Sequence, residues 1–263
     1  MAPAPGNRVF LADADRGLLV LDIAGGRERM GALPPGMPLA LASYGSRLLL
    51  GTESGLFTSP DGGRTWRAAT GVTGRRFLAV GQWQDEMAAA AWADRLWVSN
   101  DSGQSWRVAE TPPGDTEFSA LSLSNGGTDL AATHLGLLRS LDRGRKWERV
   151  EGPPNRMTAV DHLGGYLYAG DWRGRIYESS GDGSSWRQTS DIHAGIWAIS
   201  GASLAVASTA GLYLGGVAAP GPAAGKEVNA LASSGGVLYV SLARGGVYAS
   251  DDAGRRWRTV LER

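Results

Sequence analysis

Apolar residues come in short runs separated by glycine-rich turns, and no run holds a helical period for long enough to count as a helix. In one stretch the runs are Leu39–Ala42, Arg47–Gly51, Gly55–Ser59 and Thr65–Ala69, and the same order of four recurs along the chain. Four short strands per repeat predict a small antiparallel sheet. Such a sheet twists and leaves edges, and stacking several around an axis buries both faces while protecting those edges. The first run of a unit carries Ala followed by a larger aliphatic: Ala40-Leu41, Ala79-Val80, Ala120-Leu121, Ala159-Val160, Ala198-Ile199 and Ala230-Leu231. Sheets converge toward the axis, so the innermost strand has the least room, and alanine fits there.

A turn signature, Ser-x-Asp-x-Gly-x-x-Trp, sets the register of the repeat. It runs from Ser59 to Trp66, Ser99 to Trp106, Ser140 to Trp147 and Ser250 to Trp257, with a looser copy from Ser179 to Trp186. The first four serines stand 40, 41 and 39 residues apart, and the gap of 71 before Ser250 leaves room for a unit without the signature. Gly211–Gly215 supplies that unit by repeating the run Gly55–Ser59, and Gly17–Leu21 does the same upstream. Seven units then fill residues 1–263, with approximate bounds 1–34, 35–74, 75–114, 115–154, 155–191, 192–225 and 226–263. The expected fold is all-β: a single domain forming one seven-bladed β-propeller of four-stranded antiparallel blades. Met1–Pro5 aligns with the innermost strand of the first blade. Pro3 and Pro5 offer few ladder bonds there, so a three-stranded first blade is an expectation, with the ring closed by apolar packing rather than by a borrowed strand.

The signature has a mechanical reading. Glycine supplies positive φ, the Asp carboxylate and Ser hydroxyl pair with turn amides, and the Trp covers the hairpin. These residues resemble the Asp-box, or BNR, repeats of the β-propeller superfamily that includes sialidases, oligoxyloglucan-cleaving enzymes, sortilin-type receptors and the photosystem II stability and assembly factor family. The last of these is the most similar. The resemblance implies that the boxes lie on third-to-fourth-strand hairpins, away from the binding face. It thereby marks Asp61, Asp101, Asp142, Asp182 and Asp252, with Trp66, Trp106, Trp147, Trp186 and Trp257, as structural. It also implies a scaffolding or assembly role.

The search then moves to the opposite face, where second-to-third-strand loops and between-unit loops emerge. Trp92 and Trp172 occupy one equivalent position, with His134 beside it in the fourth unit. Flanked by Arg95, Asp171 and Arg173, they read either as a platform that stacks a ring or a peptide side chain or as rings that cap the ends of their blades. Arg16, Arg75, Arg76, Arg156 and Arg244 are further candidates by position. Trp97 and Trp197 fall inside strands and Trp83 on the box face, so these read as packing.

Catalysis is the rival reading. Glycoside hydrolysis needs two carboxylates about 5–10 Å apart, and the loop face offers Asp13, Asp15, Glu53, Asp94, Asp115, Glu117, Asp171, Asp191 and Glu227. A sialidase fits less well, because no Arg-Ile-Pro segment is present and every Tyr maps to a strand or to the box face. Loops of four to seven residues make shallow sites. His134, His162 and His193 lie in separate units, so no metal and no cofactor is expected.

Composition narrows the partners. Acidic and basic residues number 26 each, so no net field draws the molecule to nucleic acid or to an anionic membrane, and no apolar run approaches a membrane span. There is no cysteine. The expectation is a cytoplasmic, monomeric, non-catalytic propeller that recognises a protein partner through its loop face, with carbohydrate as a second ligand class. A mature secreted or periplasmic form would read the same way.

Overall fold

The computed structural model describes residues 1–72, 76–124, 127–200 and 204–262. Among these residues 28 strands form seven four-stranded sheets, and within each sheet the strands pair antiparallel in chain order. The innermost strands are Ala2–Ala4, Pro38–Tyr44, Phe77–Trp83, Phe118–Ser122, Met157–Leu163, Ile196–Ser200 and Val228–Ser234. Each touches the innermost strand of the next blade, and the seventh touches the first. The chain is therefore a closed seven-bladed propeller.

Second strands are the driest part of each blade, because they have a strand on both sides and a neighbouring blade on both faces. Leu48, Leu49 and Leu50 are fully buried, as are the alanines Ala88 to Ala90 and the run Leu130 to Ala132. Burying one such leucine side chain is worth about 1.5–3 kcal/mol, so the seams between blades carry most of the stability.

The first blade corrects the expectation of three strands. Ala2–Ala4 pairs with Arg8–Phe10, giving a complete fourth strand, although a short one. Proline is tolerated because this strand is a sheet edge; the Pro3 carbonyl turns outward to accept from Ser43 Oγ of blade two at 2.5 Å. The ring closes without a borrowed strand. Val9, Leu19 and Leu21 of blade one pack against Tyr239, Val247 and Val260 of blade seven. Three bonds to backbone carbonyls cross the same seam, from Ser234 Oγ to Ala4, Tyr239 Oη to Asn7 and Arg27 Nε to Val260, all within 2.7–2.9 Å.

The four full Ser-x-Asp-x-Gly-x-x-Trp turns share one hydrogen-bond network on the third-to-fourth-strand hairpins. In blade four, Gly144 N donates to Ser140 Oγ (2.9 Å), Ser140 Oγ donates to Asp142 Oδ1 (3.0 Å), and Lys146 N donates to the same oxygen (2.9 Å). Trp147 Nε1 closes the turn on the Gly144 carbonyl (3.1 Å), a bond that Trp106 and Trp257 repeat and Trp66 does not. Hydroxyl and amide donors from Thr65 and from Ser105 hold the Asp61 and Asp101 carboxyls down at about 2. The turn glycines also seat the hairpin on the preceding blade: Gly63 (φ +86°) packs on Leu18 and Gly254 (φ +82°) on Leu214, where a Cβ would collide. The loose copy departs from this. Ser179 Oγ does not reach Asp182; that carboxylate instead caps Ser184 N and pairs with Arg139 of blade four at 3.1 Å.

The seam between blades three and four holds a buried carboxyl pair at its box-face end. Asp129 and Glu86 are both almost fully buried, and Glu86 Oε1 has no donor among the described residues. Burial, then the neighbouring Glu86 carboxylate, pushes the Asp129 carboxyl up to about 8. Arg143 Nε reaches Glu86 Oε2 at 3.3 Å, but its guanidinium is shared with Asp85 at 2.9 Å. The two carboxyls can bond to each other only while one holds a proton.

Two outcomes follow from these networks. Asp142→Ala should lower stability by about 1–3 kcal/mol, because it strands the Ser140 hydroxyl and the Lys146 amide, and Asp182→Ala should cost less; chemical denaturation of both variants checks the order. An acid whose folded pKa lies above its unfolded value near 4 stabilises the fold fully below that value and loses the contribution as pH rises through about 8. The melting temperature should therefore fall between about pH 4 and 8 in the wild type and level off above, and Asp129→Asn should flatten that decline; parallel curves would remove the shared proton.

Candidate functional site

In this meander the second-to-third-strand loops and the between-blade loops leave on one face, opposite the Ser-x-Asp-x-Gly-x-x-Trp turns. In blades two to seven the residue that follows the second strand donates its backbone N–H to the residue that precedes the innermost strand of the same blade. These bonds are Glu53 to Met37, Trp92 to Arg76, His134 to Glu117, Trp172 to Arg156, Thr209 to Gly195 and Ala243 to Glu227, at 3.0–3.3 Å. His134 therefore shares the position of the two tryptophans rather than standing beside it. Arg76 and Arg156 also donate backward, to the Glu53 and His134 carbonyls of the preceding blades, and both adopt left-handed backbone (φ 58° and 64°) to do so.

Trp172 is 44 % exposed and Trp92 52 % exposed, so neither ring caps a blade. Two guanidinium groups sit against the Trp172 ring, with Arg173 Cζ at 5.1 Å and Arg156 Cζ at 5.3 Å from its centroid. Each contact is worth about 0.5–1 kcal/mol at an exposed site and fixes where the cations stand. Among the described residues neither guanidinium forms an ion pair or a side-chain hydrogen bond. A shallow depression of ≈ 750 Å³ lies beside them, floored by His134, Leu135 and Pro154. His134 Nδ1 is buried there without a hydrogen-bond partner among the described residues. The arrangement offers an aromatic face and two oriented, unneutralised cations.

Asp171 does not join them. Its side chain is fully buried; Oδ1 accepts from the Arg173 and Arg175 amides at 2.9 Å and Oδ2 pairs with Arg175 Nε at 2.7 Å. It shapes the loop that presents Trp172 and, being fully buried, is closed to a ligand. Asp115 does the same in blade four, where its buried carboxylate takes Arg149 and the Thr133 hydroxyl. A second loop was thus anchored by a residue that reads as surface in the sequence.

The other candidates are spread around the rim. Trp92 lies outside the depression at Trp172. Arg95 is exposed and pairs loosely with Asp94 at 3.8 Å. Arg16 pairs with Asp13 at 3.5 Å and lines a separate ≈ 350 Å³ cleft where blades seven, one and two meet. Arg76 and Arg244 are exposed. Arg75 lies outside the described residues. His193 pairs with Asp191 at 3.1 Å, and His162 bridges blades five and four, with Nδ1 2.7 Å from Ser122 Oγ and Nε2 2.6 Å from the Thr128 carbonyl.

Sequence reasoning passed over Trp197, which sits inside a strand as expected yet is 50 % exposed. A pairing irregularity turns it outward: Ile196 pairs with Ser208 and Ala198 with Ala207, leaving Trp197 unpaired between them. Strand periodicity alone carries no sign of that shift.

No family model matches this chain, and no curated protein is similar to it at the level of sequence. Solved structures do resemble it. YCF48 bound to D1 peptide superposes with a TM-score of 0.61 at 17 % identity, covering 81 % of this chain and 77 % of that one. The computationally designed Ika8 protein gives 0.72 at 16 % identity, over 98 % and 87 %. AFV00434, an ancestral GH74 enzyme, gives 0.61 at 16 % identity, and this chain, 97 % covered, spans 37 % of it. At these identities the likeness is one of fold: the chain shares the propeller architecture of a peptide-binding protein, a designed protein and a glycoside hydrolase alike.

Proposed function

We propose that this protein is a non-catalytic binding propeller of the Asp-box kind, with an assembly-factor-like role, whose loop face takes an acidic segment of a protein partner. One observation carries the reading: Arg156 and Arg173 are held against Trp172 with their donors unspent. A planar guanidinium recognises a carboxylate bidentately, and stacking on an indole pre-organises it at little entropic cost. The likeness to YCF48 bound to D1 peptide supports a protein segment as ligand.

Two features weigh against hydrolysis on this face. Its buried carboxylates, Asp115 and Asp171, are spent on Arg149 and Arg175. The carboxyl pushed up by burial, Asp129, opens the second strand of blade four at the opposite end of the blade, beside Glu86. Neither buried carboxylate of the loop face is therefore free to act as acid or base.

The test is affinity capture from the native cell with wild type beside Arg156→Gln/Arg173→Gln, with the melting temperature of each measured. The double variant should release the proteins that wild type retains, at an unchanged melting temperature, and retention by wild type should weaken as salt rises through 0.1–0.5 M. Identical retained proteins in both samples would refute the site.

A further inference from the structure

The irregularity at Trp197 belongs to a series. In blades two to seven the pairing between the innermost and second strands slips at the loop-face end. The residue left out of the ladder is in turn Leu39, Leu78, Ser119, Thr158, Trp197 and Asn229. Each follows the first residue of its strand by one place, and each is exposed or half-buried. A bulge re-aims the side chain it releases, and because these residues stand on innermost strands, they ring the axial opening of the propeller. Five of the six are aliphatic or small polar residues. The sixth is an indole, half exposed, on the blade next to Trp172.

Blades five and six approach closely at this point. Gly195, two residues before Trp197, lies against the Trp172 carbonyl, where a Cβ would stand 3.1 Å from the oxygen. Its own carbonyl accepts from Thr209, which fixes the start of the strand that carries Trp197. The two indoles and the two unpaired guanidinium groups thus occupy one arc of the loop face, running from the rim of blade five inward to the axis.

We propose that Trp197 is an apolar anchor for the partner segment: it receives a bulky apolar side chain a few residues from the acidic group held by Arg156 and Arg173. The partner's chain then runs from Trp172 toward the axial opening rather than outward over the blade. This inference rests on the acidic-segment reading of the site. An exposed indole gains most from a flat or branched apolar partner. Single-stranded nucleic acid would also stack on indoles and pair with arginines. Glu117 and Glu227 stand among the residues that precede the innermost strands, and the chain carries no net charge, so a polyanion would meet repulsion on the same rim.

The experiment uses fluorescein-labelled peptides in which a Phe stands one to four residues from a Glu-Asp pair, read by fluorescence polarisation. Controls replace the Phe by Ala, or the Glu-Asp pair by Gln-Asn. At one spacing wild type should prefer the Phe peptide to its Ala counterpart by about 10-fold, the worth of one well-placed apolar group. Trp197→Ala should erase that preference while leaving the Ala peptide's affinity unchanged, and Trp197→Phe should keep most of it. Arg156→Gln/Arg173→Gln should weaken both peptides. A preference that survives Trp197→Ala overturns the anchor and leaves the acidic-segment reading standing. Binding that ignores the arginine variant or the Gln-Asn exchange overturns that reading and the anchor with it. Displacement of the peptides by an oligothymidylate at equal concentration would assign the face to nucleic acid instead.

Discussion

A ring of seven sheets closes only if every seam between neighbouring blades is dry and of nearly equal thickness, and most other features of this molecule answer to that constraint. Unbroken apolar second strands, such as Leu48–Leu50 and Ala88–Ala90, supply the filling. Alanines at the third residue of the innermost strands, such as Ala79 and Ala159, let blades converge without collision. The seam between blades seven and one has no sequence continuity behind it, and it is closed by the same means: an apolar cluster and three bonds to backbone carbonyls. Hydrophobic burial is non-directional, so seams alone would let blades slide. The turns with Ser-x-Asp-x-Gly-x-x-Trp add the directional part, since Gly63 and Gly254 seat each hairpin in the side chains of the blade before it.

The same constraint decides which charges are available for work. A carboxylate buried at the loop end of a blade must be paired, because an uncompensated charge there would cost several kcal/mol. Asp115 and Asp171 meet that demand with Arg149 and Arg175, and those arginines are thereby neutralised. Arg156 and Arg173 are under no such demand. They stand on loops outside the seams and lean on an indole instead of an acid, so a partner's carboxylate meets donors that have not been neutralised in advance.

The fold was legible in the sequence because each blade repeats the same solution. The period, the four short runs and the alanines of the first run all point the same way, and they place seven blades correctly. The first blade was legible only in part: Pro3 argued against a ladder, but an edge strand does not need the N–H that proline lacks. The site was less legible for two physical reasons. Whether Asp171 faces solvent or an arginine depends on the direction of one side chain at a loop, which neither periodicity nor spacing encodes. Trp197 obeys the strand pattern in sequence and escapes it in space, because one slipped pair leaves it out of the ladder and half exposed.

Those exceptions point to where function sits in a repeat protein. Six blades share the bulge, and six share the bond from the loop to the residue before the innermost strand. Positions that only maintain the ring tend toward what closes it at least cost: small, aliphatic or uncharged residues, as with Thr209 and Ala243 at the loop position and Ser119 and Thr158 at the bulge. An exposed indole at either position adds nothing to a seam, and it leaves apolar area in water that a smaller residue would remove. Trp172 and Trp197 are such departures on adjacent blades, and the unpaired arginines stand against the first of them. Departures from the repeat that burden the ring without stabilising it are best explained by a gain made outside it, in a contact with another molecule.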